Sequence, residues 1–174
     1  MANLTIQGIF ARNRWDFLEK ACGHADIGVL APPAGGYFLA LLNPATSPSQ
    51  LDIYRADFTT IDAGQATLYA VGPGQLKTPA GLSTAISIFT IDPTLSSQPG
   101  QLLNWSAVSG EPLAIYARLD QVTSASYELA TGGPFLTLQP GWAVAWFFDT
   151  GSSASESEAH FVYQAVNDQL AQAS

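Results

Sequence analysis

The segment Trp142-Ala-Val-Ala-Trp-Phe-Phe148 constrains the fold more than any other stretch of the chain. Successive side chains of an extended strand point to opposite faces of its sheet. Trp142, Val144, Trp146 and Phe148 therefore share one face, and Ala143, Ala145 and Phe147 share the other. Both faces are apolar, so one must meet a second sheet or another subunit. The preceding Leu136-Thr-Leu-Gln-Pro-Gly supplies a strand end and a reversal: Pro140 fixes φ, and Gly141 can take the positive φ of a type II turn.

Strand signals recur along the chain, punctuated by Gly, Pro, Ser and Asn, while helical periodicity is scarce. Strands are expected near 3–10, 36–42, 51–60, 65–71, 84–91, 112–119, 134–138, 142–148 and 159–166. Many short strands joined by Gly/Pro turns predict an all-β fold, an antiparallel β-sandwich of jelly-roll-like form. Leu113, Ile115, Ala117 and Leu119 alternate against Tyr116 and Arg118, as a half-buried strand would. The apolar phase slips from 51/53 to 54/56/58 and again between Ile88 and Phe89, which is the mark of a bulge. Residues 13–20 fit a short helix. Residues 159–170 fit either a helical face or a strand, and the alternation of Phe161, Tyr163 and Ala165 favours the strand.

With 174 residues the chain has room for one compact domain and a terminal arm. The expected division is an N-terminal arm and connector over 1–35, a sandwich over 36–168 and a short tail over 169–174, with Pro32, Pro33, Gly35 and Gly36 marking the connector. Apolar residues make up 47% of the chain and charged residues only 11%, against roughly a quarter charged in ordinary globular proteins. So little charge leaves apolar surface for neighbours to cover, and a homo-oligomer is expected. The formal net charge of −8 opposes direct binding to nucleic acid, which relies on Lys and Arg displacing counterions. Three of the six cations, Arg12, Arg14 and Lys20, stand in the first twenty residues, as suits an arm that docks on an acidic partner. A single cysteine, Cys22, excludes an intrachain disulfide framework. No apolar run approaches the roughly 18 residues of a membrane-spanning helix, and no signal peptide is legible at the N-terminus, so folding in a cytosol is expected.

Two segments, in order, resemble parts of a known family. Phe38-Leu-Ala-Leu-Leu-Asn-Pro-Ala-Thr-Ser, followed by Leu51-Asp-Ile-Tyr-Arg-Ala, is similar to a pattern in small β-sandwich structural proteins of tailed bacteriophages: an apolar strand, Asn-Pro-Ala-Gly-Ser-Gly, then another apolar strand. Here Thr46 stands in place of the first Gly and Pro48 in place of the second, which changes the turn. Phe135-Leu-Thr-Leu-Gln-Pro-Gly-Trp-Ala-Val-Ala-Trp-Phe-Phe, a Gly/Ser-rich loop and Ala159-His-Phe-Val-Tyr-Gln-Ala-Val resemble the final hairpin of the same proteins. The resemblance implies a virion component, such as a capsid decoration protein, a head or neck attachment or a fibre module, and brings no catalytic residues. The first motif also has a physical reading of its own. Asn43 can close an Asx turn and Pro44 ends a strand by withholding an N–H.

Motifs for catalysis are scarce. Gly81-Leu-Ser-Thr-Ala lacks the last Gly of a hydrolase elbow, and Gly72-Pro-Gly74 reads as a turn. His24 and His160 can join Asp26 or Cys22 around a metal only through a long-range meeting; surface histidines are the simpler reading. Glu111, Asp120 and Glu128 supply the carboxylates of a sandwich glycosidase only if two of them face across a cleft. Asn3-Leu-Thr5 and Asn104-Trp-Ser106 match the glycosylation sequon, which carries no weight in a bacterial cytosol. Trp142 and Trp146 fit a core, whereas Trp105 sits in a polar stretch and is the better candidate for exposure.

The expectation is therefore a non-enzymatic virion protein without cofactor or metal, partnered by other virion proteins such as a major capsid protein. Arg12, Arg14, Trp15, Phe17 and Trp105 are its candidate interface residues. The competing expectation is a carbohydrate- or receptor-binding module that uses exposed aromatics.

Overall fold

The structure is a computed structural model that describes residues 22–30, 36–75, 84–90, 100–105, 110–149 and 156–167, with the backbone alone at 30, 84–90, 105 and 167. These residues form nine strands and no helix: β1 (Gly23–Leu30), β2 (Tyr37–Leu42), β3 (Ser49–Val71), β4 (Thr84–Thr90), β5 (Gln101–Trp105), β6 (Leu113–Glu128), β7 (Leu136–Leu138), β8 (Ala143–Asp149) and β9 (Glu156–Asn167). Every pairing among them is antiparallel. They make one sheet of order β4-β1-β9-β3-β8-β2-β5, with β6 and β7 added on β3, and the sheet nearly closes into a barrel-like form.

The spine is β3. Along one edge it pairs with β9 from Ser49 to Thr60 and then with β8 from Gln65 to Val71. The last β8 pair is Gln65↔Asp149 and the first β9 pair is Thr60↔Ser157, so β8 and β9 follow one another along the same edge. Along the other edge run β6 and β7. The sheet thus divides at residues 60–65 of β3 into a wing of β9, β1 and β4 and a wing of β8, β2 and β5. Strands that bend or bulge in this way make the corners of folded-over sheets. Gly64 makes this corner possible. A Cβ on it would lie 2.5 Å from the Asp149 carbonyl oxygen and 2.6 Å from Phe148 Cζ.

The two wings close on one core. Ala25, Ile27 and Val29 of β1 and Ala159, Phe161 and Tyr163 of β9 meet Leu39 and Leu41 of β2 and Val144, Trp146 and Phe148 of β8. Phe58 bridges the wings, its ring centroid 4.6 Å from that of Phe148 and 6.1 Å from that of Trp146. Inside, Tyr37 Oη donates to Ser157 Oγ, Ser157 Oγ donates to Thr60 Oγ1 at 3.0 Å, and Thr60 Oγ1 donates to the Glu156 carbonyl at 3.0 Å. Buried hydroxyls need such partners, and this chain supplies them across the split. A second apolar cluster, with Phe38, Ala40, Val71, Ala143 and Ala145, lies on the opposite face of the β8–β2 wing. The doubly apolar strand expected from Trp142–Phe148 therefore has apolar neighbours on both faces.

Several expectations change in detail. The predicted strands 51–60 and 65–71 are the two halves of β3, and the phase slip after Ile53 is a register shift between Ile53 and Arg55. No such shift interrupts the β1–β4 ladder. Residues 23–30, expected within a connector, are β1, hydrogen-bonded to β4 on one side and β9 on the other, so the sheet begins before residue 36. The buried alternation Ala25, Ile27, Val29 carries that strand; His24, Asp26 and Gly28 between them give it the look of a loop. Gln101–Trp105 also forms a strand, β5, paired with β2. The reversal before β8 is the expected turn, with Gly141 at φ 88° and the Trp142 N–H donating to the Gln139 carbonyl at 3.0 Å. The ambiguous 159–166 stretch is strand throughout. The predicted strand 3–10, helix 13–20 and tail 169–174 lie outside the described residues.

Candidate functional site

On the outer face of the β9–β1 wing the register brings four polar residues into one row: Asp26 of β1, His160 of β9, Asp57 of β3 and Ser126 of β6. His160 Nδ1 bonds Asp26 Oδ1, and His160 Nε2 stands 3.3 Å from Nδ1 of His24, one diagonal step away. The two imidazole centroids are 5.3 Å apart. Further along the row, Arg55 Nε pairs with Asp57 at 2.8 Å and Ser126 Oγ donates to Asp57 at 2.5 Å. The long-range meeting of His24, His160 and Asp26 thus takes place, while Cys22 is buried, its thiol pushed up to about 12 by desolvation. Among the described residues no group of three or more His, Cys, Asp or Glu side chains is placed to hold a metal ion.

The second feature is β6. It runs for 16 residues, pairs among the described strands with β3 alone, and is exposed along most of its length. Leu113 is 69% and Leu119 73% exposed, so these two of the alternating set expected to be half-buried face outward, while Ile115 of the same set is partly buried against the core. A register shift between Leu68 and Tyr69 turns the strand, and Tyr116 becomes an inward residue. Its ring lies 6.3 Å edge-on from that of Trp146, and Tyr127 and Phe135 continue the aromatic row at 5.2 and 5.0 Å. Tyr127, one of the tyrosines open to a sugar-stacking role, and Phe135 pack instead against the core, and the alternation of Ala125 and Tyr127 against Ser124, Ser126 and Glu128 is the signal for Tyr127.

Pairing between β3 and β6 loosens between Thr59 and Gly64. Next to this break is an open hollow of about 510 Å³ lined by Arg55, Asp57, Tyr116, Arg118, Ser124 and Ser126, among others. Two of the chain's six cations converge there, although Arg55 is already matched by Asp57.

Arg12, Arg14, Trp15 and Phe17 lie outside the described residues. Trp105 ends β5 opposite Phe38 and so belongs to a strand, not to a polar loop. Glu111 precedes β6, Asp120 lies within it and Glu128 ends it. At about 3.3 Å per residue, even the nearest two are on the order of 25 Å apart along the chain. These three carboxylates therefore do not form the facing pair of a glycosidase. Of the tryptophans, Trp146 is fully buried and Trp142, expected with it in the core, is 38% exposed at the turn before β8. Among the described residues no helix is long and apolar enough to cross a membrane.

The molecule is thus an antiparallel all-β protein with one folded-over sheet, a long exposed strand paired on one edge only among the described strands, and a histidine–aspartate cluster on its outer face. Neither protein-family models nor curated proteins match the sequence.

Proposed function

We propose that this chain is a non-enzymatic structural subunit of a bacteriophage particle, an accessory head protein of the decoration or cement kind that packs against other virion proteins and copies of itself. The observation that carries the reading is β6. A sixteen-residue strand with one edge unpaired among the described strands, and with Leu113 and Leu119 outward, is a surface ready to add a neighbouring strand. The shortage of charge over the whole chain points the same way, because a freely diffusing monomer gains nothing from it. Repetition on a particle would convert weak contacts into firm attachment. The two ordered resemblances to phage sandwich proteins supply the virion context.

A second reading, a receptor- or carbohydrate-binding module, draws on the hollow of Arg118, Tyr116 and the β6 hydroxyls and on the half-open Trp142. The two separate in one experiment. The Leu113→Ser/Leu119→Ser double variant is expected to keep its urea midpoint, since both side chains are solvent-facing, and to lose at least tenfold in co-sedimentation with particles or in self-association. Unchanged occupancy on particles would overturn the assembly role of β6. Glycan-array binding that survives the double variant and disappears in Arg118→Ala would replace it with the second reading. Deletion of residues 1–35 is not a clean test of an N-terminal arm, because it removes β1 from between β4 and β9. Truncation after residue 20 spares β1.

A further inference from the structure

We propose that His24 and His160 form a binding site for a divalent transition-metal cation of the Zn2+, Ni2+ or Cu2+ class on the outer face of β1 and β9. His24 Nδ1 and His160 Nε2 are 3.3 Å apart. Imidazole nitrogens bind Zn2+ at about 2.0–2.1 Å, and two such bonds at a tetrahedral angle separate the nitrogens by roughly 3.3–3.4 Å. The pair therefore stands at the edge length of a tetrahedral site without moving a backbone atom.

The tautomer is also set. Asp26 Oδ1 accepts from His160 Nδ1–H, which leaves His160 Nε2 as the acceptor nitrogen of that ring, facing His24 Nδ1. A cation bound between the two would take the place of the proton they share, His24 then carrying its proton on Nε2. A carboxylate on the far nitrogen of a ligating histidine orients the ring and raises its basicity, the usual support of a metal-bound imidazole. The strands hold this geometry. Asp26 is directly opposite His160 in the β1–β9 ladder, and His24 is two residues away on the same face.

The surrounding charge favours a cation. Asp57 lies opposite His160 on β3, Glu158 precedes it on the same face of β9, and Arg55, which Glu128 faces across the β3–β6 ladder, is paired with Asp57. His160 is 28% exposed, so a hydrated ion reaches it from solvent. With two imidazoles and no third protein ligand among the described residues, water completes the coordination sphere. Imidazole ligation selects Cu2+, Ni2+ and Zn2+ over Mg2+ and Ca2+, which prefer oxygen. A bound ion would clamp β1 to β9.

The test uses the full untagged chain at pH 7.5. The chain has only two histidines, so a histidine-selective NMR spectrum contains two imidazoles, and both are expected to shift or broaden on addition of Ni2+ or Zn2+ at micromolar to sub-millimolar concentration, with no response to Mg2+. Calorimetric titration is expected to give one site per chain. His160→Ala, a partly exposed position, should fold normally and lose binding at least tenfold, and Asp26→Asn should weaken it about 10–100-fold while both histidines remain. If His24→Ala is unstable, the His160 and Asp26 variants decide alone. Absence of binding below millimolar metal, or binding unchanged in His160→Ala, overturns the proposal and leaves the pair as a hydrogen-bonded imidazole couple.

Discussion

Asn43 shows how much one side chain can do at the end of a strand. Its sequence setting, an apolar strand followed by Asn-Pro, predicts a local Asx turn. The side chain instead reaches outward: Nδ2 donates to the Ser49 carbonyl at 2.9 Å and to the Leu138 carbonyl at 3.0 Å, tying the starts of β3 and the end of β7 together. Its backbone is held as well, donating to the Trp142 carbonyl at 2.9 Å and accepting from the Gly141 N–H at 2.8 Å. The tight local turn falls one residue later, where the Ser47 N–H donates to the Pro44 carbonyl at 2.8 Å. Asn43 is fully buried, so Asn43→Ala removes both bonds in a dry site, the Ser49 carbonyl keeping only its bond from Ser47 Oγ at 3.1 Å among these contacts. A loss of about 1–3 kcal/mol is expected in urea unfolding, the cost of about one buried group left without its donor. Asn43→Asp should cost more, because an acceptor then faces the same two carbonyl oxygens. A loss below about 0.5 kcal/mol for the alanine variant would mean that these bonds are not holding the strands.

Elements with regular alternation and clear turn chemistry were legible in the sequence; elements whose neighbours are distant in the chain were not. β8 and its Pro140–Gly141 turn followed directly from residue pattern, and so did β2 and β9. The facing of β6 is only half legible, because a register shift at Leu68/Tyr69 breaks its alternation: Ile115 packs on the core as the alternating set predicts, Leu113 and Leu119 turn outward, and Tyr116 joins the core beside Trp146. The same limit hid the unity of β3: Asp62-Ala63-Gly64 reads as a turn between two strands, whereas the chain bends there and continues. The histidine cluster needed residues 136 positions apart to meet, which periodicity cannot report. Gly64 is where the bend depends on a single residue. Gly64→Ala places a methyl against the Asp149 carbonyl and the Phe148 ring, of which the backbone oxygen has little room to yield. Such overpacking costs about 1–3 kcal/mol, and a matching fall in the urea midpoint is expected. Unchanged stability would show that the corner opens freely.

At the scale of the whole molecule, both wings share one core and contribute buried ionisable groups to it. Tyr37 of β2 and Tyr163 of β9 are buried in the main cluster, and Cys22 is buried just ahead of β1. Desolvation pushes the Cys22 thiol from its ordinary 9.0 to about 12 and the two phenols from 10.0 to about 12, because a thiolate or phenolate loses its hydration in the core. For Tyr37 the bond to Ser157 opposes that rise without cancelling it. All three groups are raised in the folded state, so the unfolded chain releases their protons first as pH increases. Their contribution to stability is complete below about pH 9 and is lost as pH climbs toward 12. The urea midpoint is expected to show no loss from these groups between pH 7 and 9, then to fall steadily. Since the groups belong to one cooperative core, tryptophan fluorescence and far-UV circular dichroism should report the same transition. Tyr163→Phe removes one of the titrating groups and should flatten the decline between pH 10 and 12 relative to the parent chain. A midpoint that holds constant through pH 11, or a decline of equal slope in Tyr163→Phe, would mean that the core admits enough water to ionise these groups in place, and the closed packing of the two wings would have to be given up.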